Sequence, residues 1–368
     1  MKIAFLCKRQ YMSKDVILDK YARLYEIPNQ LALLGHQVES FCLSYQAHDE
    51  GDWDESNHLK SLVWHSKSYK GLNKIGLLTY PIFLLQKLKK FQPDIIIAAS
   101  DIPHIVWGAW CAKKLNIPLV ADLYDNFEAY GQAKIPFLKP LFHQALSTAK
   151  VISTTSFSLA EKMRKDFPNV PNIYPMPSVI DKDLFKSSDK IVARKFLNLP
   201  LDKPLIGTAG GLTQMKGIDD LFNAWEIIKN QNDQVYLILA GPTEEKTPLP
   251  HDERVIYLGL LSHKDVVTLF QALDVGVLCI PDDEFGRYCF PQKAYEMLAC
   301  NLSIVSSEIG DMRVLLNKHS DSLYINRNYQ DLANKLSFQL AHHDKIEIPI
   351  LSWRQTVENL ECYLKQLI

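Results

Sequence analysis

Two short segments carry residue types whose spacing suits the handling of an anion and of a polyol. The first is Gly207-Thr208-Ala209-Gly210-Gly211-Leu212-Thr213-Gln214-Met215-Lys216-Gly217. It ends a β-branched run, passes through paired glycines and sets a lysine where a helical pattern begins. Glycine lets a backbone approach a ligand closely. A helix start offers unbonded N–H groups and a positive dipole end, and Lys216 adds a full charge, so the segment reads as a phosphate cradle. It is not a P-loop, because Gly217 rather than Ser or Thr follows the lysine, and its glycine spacing is not the dinucleotide fingerprint. A tight strand-to-helix turn with a solvated lysine fits the motif equally well. The second segment is Pro291-Gln292-Lys293-Ala294-Tyr295-Glu296-Met297-Leu298-Ala299-Cys300. Pro291 suits a helix start, and Lys293 and Glu296, three apart, share one face. A carboxylate there can accept both hydroxyls of a ribose. A surface ion pair is the plainer account of the segment read alone.

The elements that must position these residues alternate short β-branched runs with longer helical patterns, the rhythm of an α/β chain with parallel sheets covered by helices. Strands are predicted over 2–7, 38–41, 95–99, 119–122 and 151–154, then again over 205–208, 235–240, 255–258, 275–278 and 303–306. Helices are predicted over 19–34, 218–230, 263–271, 292–300 and 330–342. The first of these ends at Gly35, and Pro28 predicts a kink or break in it. At 368 residues the chain exceeds what one core usually serves. The charged stretch 185–204 divides it into domains 1–190 and 191–351, and a last helix over 352–368 follows the Pro349 break. Two doubly wound domains in series place a ligand outside the carboxyl ends of their strands.

Composition excludes several classes. With 41 basic against 42 acidic residues the chain has no general electrostatic grip on nucleic acid. The apolar start is too short for a secretory signal, and the longest apolar stretch, 75–85, falls short of the roughly 20 residues that span a bilayer. The seven cysteines form no metal-type or redox-type pair. Free thiols and a cytoplasmic setting are the expectation. His36, His104, His143 and His263 have no ligand spacing. Asp181-Lys182-Asp183 and Asp282-Asp283-Glu284 read as solvated acidic turns rather than metal sites. Lysines and aromatics over 67–90, and again over 134–142, suit either an anionic membrane surface or a core helix with a basic outer face.

Taken together, the ordered segments resemble the retaining glycosyltransferases of the family 4 group, which have the two-domain GT-B fold of paired Rossmann-like domains facing across a cleft. Gly35-His36-Gln37-Val38, Pro93-Asp94-Ile95-Ile96 and Met176-Pro177-Ser178-Val179-Ile180-Asp181 are similar to family landmarks of the first domain and linker. Gly210–Gly217 is similar to the phosphate loop and Pro291–Ala299 to the donor-binding helix. Ser352-Trp353 opens a helix like the one that crosses back to the first domain. The resemblance implies sugar transfer from a nucleotide diphosphate sugar, commonly a uridine one, to a saccharide or lipid-linked acceptor, with bacterial surface polysaccharide synthesis as the setting. No cofactor and no metal are implied. Lys216 would grip the diphosphate, assisted by Gly210 and Gly211. Glu296 would bind the ribose and Lys293 would support its loop. Cys289 and Phe290 would offer backbone N–H groups to sugar and phosphates. Asp125 would face the transferred sugar. Gly211 stands where the family carries an arginine, whose charge Arg287 or Arg9 would replace. Tyr288 stands at the first glutamate of the family's paired motif, and Lys8-Arg9-Gln10-Tyr11 replaces a glycine turn. These departures keep two alternatives in view, a nucleotide-sugar epimerase on the same fold and a catalytically weak relative acting as a binding partner. A nicotinamide oxidoreductase lacks its glycine fingerprint here.

Overall fold

The computed structural model describes residues 1–46, 48–68 and 76–368, in two compact units: Met1–Val179 with Leu351–Ile368, and Ile180–Ile350. In the first unit eight strands form one sheet among the described residues. Their spatial order is Asn172–Pro175, Val151–Thr154, Leu119–Leu123, Ile95–Ala99, Lys2–Lys8, Gln37–Ser44, Ser61–Ser68 and Gly51–Asp54. All pairings are parallel except that of the edge strand Gly51–Asp54. The inner strands Ile95–Ala99 and Leu119–Leu123 are buried at every residue, as expected of a sheet covered on both faces. From Lys2–Lys8 the chain moves outward through Gln37–Ser44 to Ser61–Ser68. It then returns to the other side of Lys2–Lys8 at Ile95–Ala99. That reversal opens a crevice beyond the strand ends, where α/β sheets hold ligands.

The first helix, Ala22–Leu33, runs through Pro28 without breaking. Leu24, Ile27, Pro28 and Leu31 are all buried, so packing outweighs the lost backbone bond. Of the predicted 67–90 helix, 69–75 lie outside the described residues. Gly76–Phe91 buries Tyr80, Leu84, Leu88 and Phe91 at helical spacing, which is the pattern of a core helix. No described helix is long and apolar enough to cross a membrane. The terminal helix Trp353–Lys365 starts at a capping box made by Ser352 and Gln355. Its Val357, Leu360 and Leu364 join the same core cluster as Leu24, Ile27 and Leu31.

The second unit repeats the plan with six parallel strands, ordered Val255–Tyr257, Tyr236–Ala240, Leu205–Ala209, Val275–Leu278, Ser303–Ser307 and Leu323–Tyr324. Here the reversal falls between Leu205–Ala209 and Val275–Leu278. The division at Val179/Ile180 corrects the boundary expected at 190. Ile180 and Phe185 are buried in the second core, and the helix Lys190–Phe196 is tied to it through Arg194, which bonds the Ala272 carbonyl at 2.9 Å and Asp274 at 2.7 Å. The charged residues of this stretch form its wet side, so composition alone made it look like a linker.

Candidate functional site

In the second unit both sequence segments arrive at the crevice made by the strand reversal. Leu205–Ala209 ends at Gly210, whose φ of +125° is open to glycine. A Cβ at Gly210 would collide with the Lys293 ammonium, and one at Gly241 with the Gly210 carbonyl. Gly211 has more room, its nearest neighbour being the Lys216 stem at 3.6 Å. One tight turn, Gln214–Lys216, then leads into Gly217 at φ +73° and the helix Ile218–Gln231. A Cβ at Gly217 would stand 3.0 Å from the Cys279 carbonyl. The glycine loop is therefore pressed against the end of Val275–Leu278, across the reversal.

Two lysines meet here. The Lys216 ammonium lies over the Phe285 ring, 4.2 Å from its centroid. Lys293 is carried in from the helix Gln292–Ala299, where Ala294, Met297 and Leu298 anchor the buried face. Burial first, and the neighbouring Lys216 charge second, hold the Lys293 amine below the usual lysine range, with Glu296 acting the other way. Among the described residues neither lysine has an ion-pair or hydrogen-bond acceptor. Two cations that converge on a glycine loop without such partners are an arrangement that can take a polyanion.

Glu296, one turn along, is buried and accepts a hydrogen bond from Gln292 Nε2 at 2.9 Å. Burial pushes its carboxyl above the ordinary range, while Gln292, His263 and Lys293 pull it down. Lys216, Lys293 and Glu296 thus stand within electrostatic reach in sequence, with Lys293 between the other two.

The connecting loop is held from several sides. Ile280 N–H donates to Ser307 Oγ at 2.9 Å, and Ser307 Oγ donates back to the Ile280 carbonyl at 2.8 Å. A Cβ at Gly286 would collide with the Pro281 carbonyl, and one at Gly310 would meet the Arg287 carbonyl at 2.7 Å. Three expectations change here. The Cys289 N–H is taken by the Phe285 carbonyl at 2.9 Å, so it is not an open donor in this loop. Arg287 is exposed and bonds Asp282 at 2.6 Å, so its charge is already paired in this loop. Arg9, in the first unit, is 1% exposed and fixed by Asp15 at 3.0 Å and Ser66 at 3.1 Å, which removes it as a phosphate ligand. Lys293, expected only to support its loop, brings a second ammonium to the glycine turn beside Gly210. Phe290 packs its ring on Tyr295 at 4.9 Å. Asp125 follows the strand Leu119–Leu123 in the first unit, where it accepts from Asn126 N–H at 2.8 Å and from the Tyr130 hydroxyl.

Comparison with known proteins finds two family models along the chain. Residues 22–184 match Glycosyltransferase Family 4 and residues 203–342 match Glycosyl transferases group 1. The chain is 25% identical over 252 residues to TuaC of Bacillus subtilis, whose name assigns it to teichuronic acid biosynthesis as a glycosyltransferase. That alignment takes in 68% of this chain and 62% of the relative, so the chain spans about six tenths of the length of the curated relative it matches. Among solved structures it is similar to an E. coli trehalose-6-phosphate protein bound with UDP-2-fluoro glucose, with a TM-score of 0.69, 14% identity and all of both chains covered. It is also similar to Anabaena HepE in complex with UDP, with a TM-score of 0.65, 17% identity, and 100% and 95% of the two chains covered. At these identities the likeness establishes the fold, the paired Rossmann-like architecture of GT-B glycosyltransferases.

Proposed function

The chain belongs to the family 4, group 1 glycosyltransferases, and from that premise we propose that it moves a sugar from a uridine diphosphate sugar to a saccharide or lipid-linked saccharide acceptor, with retention of anomeric configuration. The observation that carries this reading is the pair Lys216 and Lys293, two neighbouring lysines at the glycine turn, neither of which has a hydrogen-bond or ion-pair acceptor among the described residues. A nucleotide diphosphate supplies the missing charge. Glu296 then lies where it can accept ribose hydroxyls, and Asp125 is the first-unit carboxylate assigned to the transferred sugar.

The chemistry follows from where charge develops. The bond between the sugar's anomeric carbon and the diphosphate oxygen breaks, its electron pair leaving with the diphosphate. The acceptor hydroxyl oxygen bonds to the same carbon, and its proton is released with the nucleoside diphosphate. Fixed ammonium groups stabilise the departing charge without reorganising. The reading needs no metal, because the two lysines supply the positive charge. The setting in surface polysaccharide synthesis rests on the family resemblance, and is supported by the likeness to TuaC, whose name assigns it to teichuronic acid biosynthesis. Membrane contact through 67–90 draws no support from the core packing of Gly76–Phe91.

Calorimetric titration with UDP, GDP and ADP tests the donor, followed by release of labelled sugar from the matching nucleotide sugars in the presence of a chelator. UDP binding that is lost in Lys216→Ala, with chelator-resistant turnover, is the expected result. Absence of binding by every nucleoside diphosphate would overturn the reading.

A further inference from the structure

Val357, Leu360 and Leu364 turn one stripe of the terminal helix to the first core, and a second stripe lies beside it. Thr356, Asn359, Tyr363 and Gln366 follow at helical spacing, so they share a face. The edge strand Asn172–Pro175 ends nearby, because Pro175 and Pro177 have no N–H to continue a ladder. The helix stripe and the segment leaving the strand line one cavity of about 540 Å³, a size that takes a small molecule. Every lining residue belongs to the first unit, and none is charged.

The walls combine rings with hydrogen-bonding groups that are not used. The Tyr174 and Tyr363 rings stack at 4.3 Å, with 19° between their planes, and both line the cavity. Thr356 is 3% exposed, and among the described residues its hydroxyl makes no hydrogen bond. The Asn359 and Gln366 side-chain amides are likewise without partners among the described residues. The Tyr174 hydroxyl has only the Met176 thioether at 3.8 Å, a weak acceptor. A buried hydroxyl left unmatched is costly, and a ligand that bonds it recovers that cost.

These walls discriminate among ligand classes. An ion would shed its hydration here without meeting a counter-charge. A purely apolar ligand would leave the amides and the Thr356 hydroxyl unmatched. An uncharged sugar ring meets both demands, since its C–H faces lie against aromatic rings and its hydroxyls exchange hydrogen bonds with amides. We propose that this cavity binds an uncharged pyranose. It is a saccharide-holding site that shares no residue with the glycine turn of the second unit. Its ligand class is argued from the lining alone, and its use in holding a glycan rests on the glycosyl-transfer reading.

The exposed thiol of Cys362, in the cavity lining, supplies a reporter. The test follows its alkylation by iodoacetamide in the full chain. Peptide mass spectrometry separates it from the half-buried Cys279 and Cys289. The probes are the methyl glycosides of glucose, galactose, mannose and N-acetylglucosamine, with cyclohexanol as the apolar control. At least one glycoside should slow Cys362 alkylation saturably, by about tenfold at ten times its Kd. Asn359→Ala combined with Gln366→Ala should raise that Kd by about tenfold, the scale of two lost hydrogen bonds. Both positions are exposed, so the melting temperature should not change. The proposal is overturned by no protection from any glycoside, by equal protection from cyclohexanol, or by an unchanged Kd in the double variant. UDP titrated calorimetrically into the same protein reports the second unit separately. Absence of UDP binding would sink the donor reading and leave the Cys362 result standing.

Discussion

Lys293 shows how a single residue can be costly to the empty protein and useful to the bound one. Its ammonium is buried against Gly210 with another cation as neighbour, so removing it should relieve the fold. Lys293→Met is expected to raise the melting temperature without nucleotide while weakening UDP binding about ten- to hundredfold, the loss of one charge-assisted contact of about 1.5–3 kcal/mol. Differential scanning calorimetry and titration calorimetry on the same preparation check both halves. A lower melting temperature would mean that the lysine stabilises the empty fold. The sign of the pH effect follows. A lysine whose folded-state pKa lies below its unfolded value binds fewer protons when folded. Stability should therefore rise with pH between the depressed value and the ordinary 10.5. Bound diphosphate restores the charge, so UDP binding should take up protons within that window. Titrations in buffers of different ionisation enthalpy measure that uptake, and release of protons would contradict the pairing of Lys293 with the diphosphate.

At the scale of elements, the glycine loop makes two neighbouring positions behave oppositely. Gly210 has positive φ and Lys293 where a Cβ would go, whereas Gly211 has only the Lys216 stem within ordinary contact. Gly210→Ala should cost about 1 kcal/mol or more in backbone strain and weaken UDP binding. Gly211→Arg should fold normally and bind UDP more tightly, by restoring a guanidinium where the resemblance places one. Melting curves and UDP titrations of the pair decide it, and equal damage at both positions would refute the loop geometry. These elements were largely legible in the sequence. Ile95–Ala99, Val151–Thr154 and Val275–Leu278 occur as read, because fully buried parallel strands are continuous apolar runs. Ser61–Ser68 is not legible because most of its sequence, SLVWHSKS, is polar. It is held by pairing with Gln37–Ser44 rather than by composition. Lys216 and Glu296 were legible from type and spacing. The fate of Arg9 was not, since its partner Asp15 is brought to it by the short hairpin Gln10–Tyr11 with Lys14–Asp15, which leaves little trace in residue types.

For the whole molecule, the last helix decides how the chain is divided. Leu351–Ile368 belongs with Met1–Val179, although Ile180–Ile350 lies between them in sequence. Val357, Leu360 and Leu364 are buried against the first helix, and each is worth about 1.5–3 kcal/mol as an upper estimate. Polar contacts reinforce them. His36 Nε2 lies 2.8 Å from Glu361, and the Tyr363 ring stacks on Tyr174 at 4.3 Å. The helix start is itself held by the Ser352 capping box, worth about 1 kcal/mol. A chain ending at Ile350 should therefore lose hydrogen-exchange protection in Lys2–Lys8 and Ala22–Leu33 while Leu205–Ala209 and Val275–Leu278 keep theirs. Ser352→Ala should produce a milder version of the same pattern. Protection lost equally in both sheets would mean that the helix does not serve the first unit alone, and the division drawn from packing would have to be redrawn.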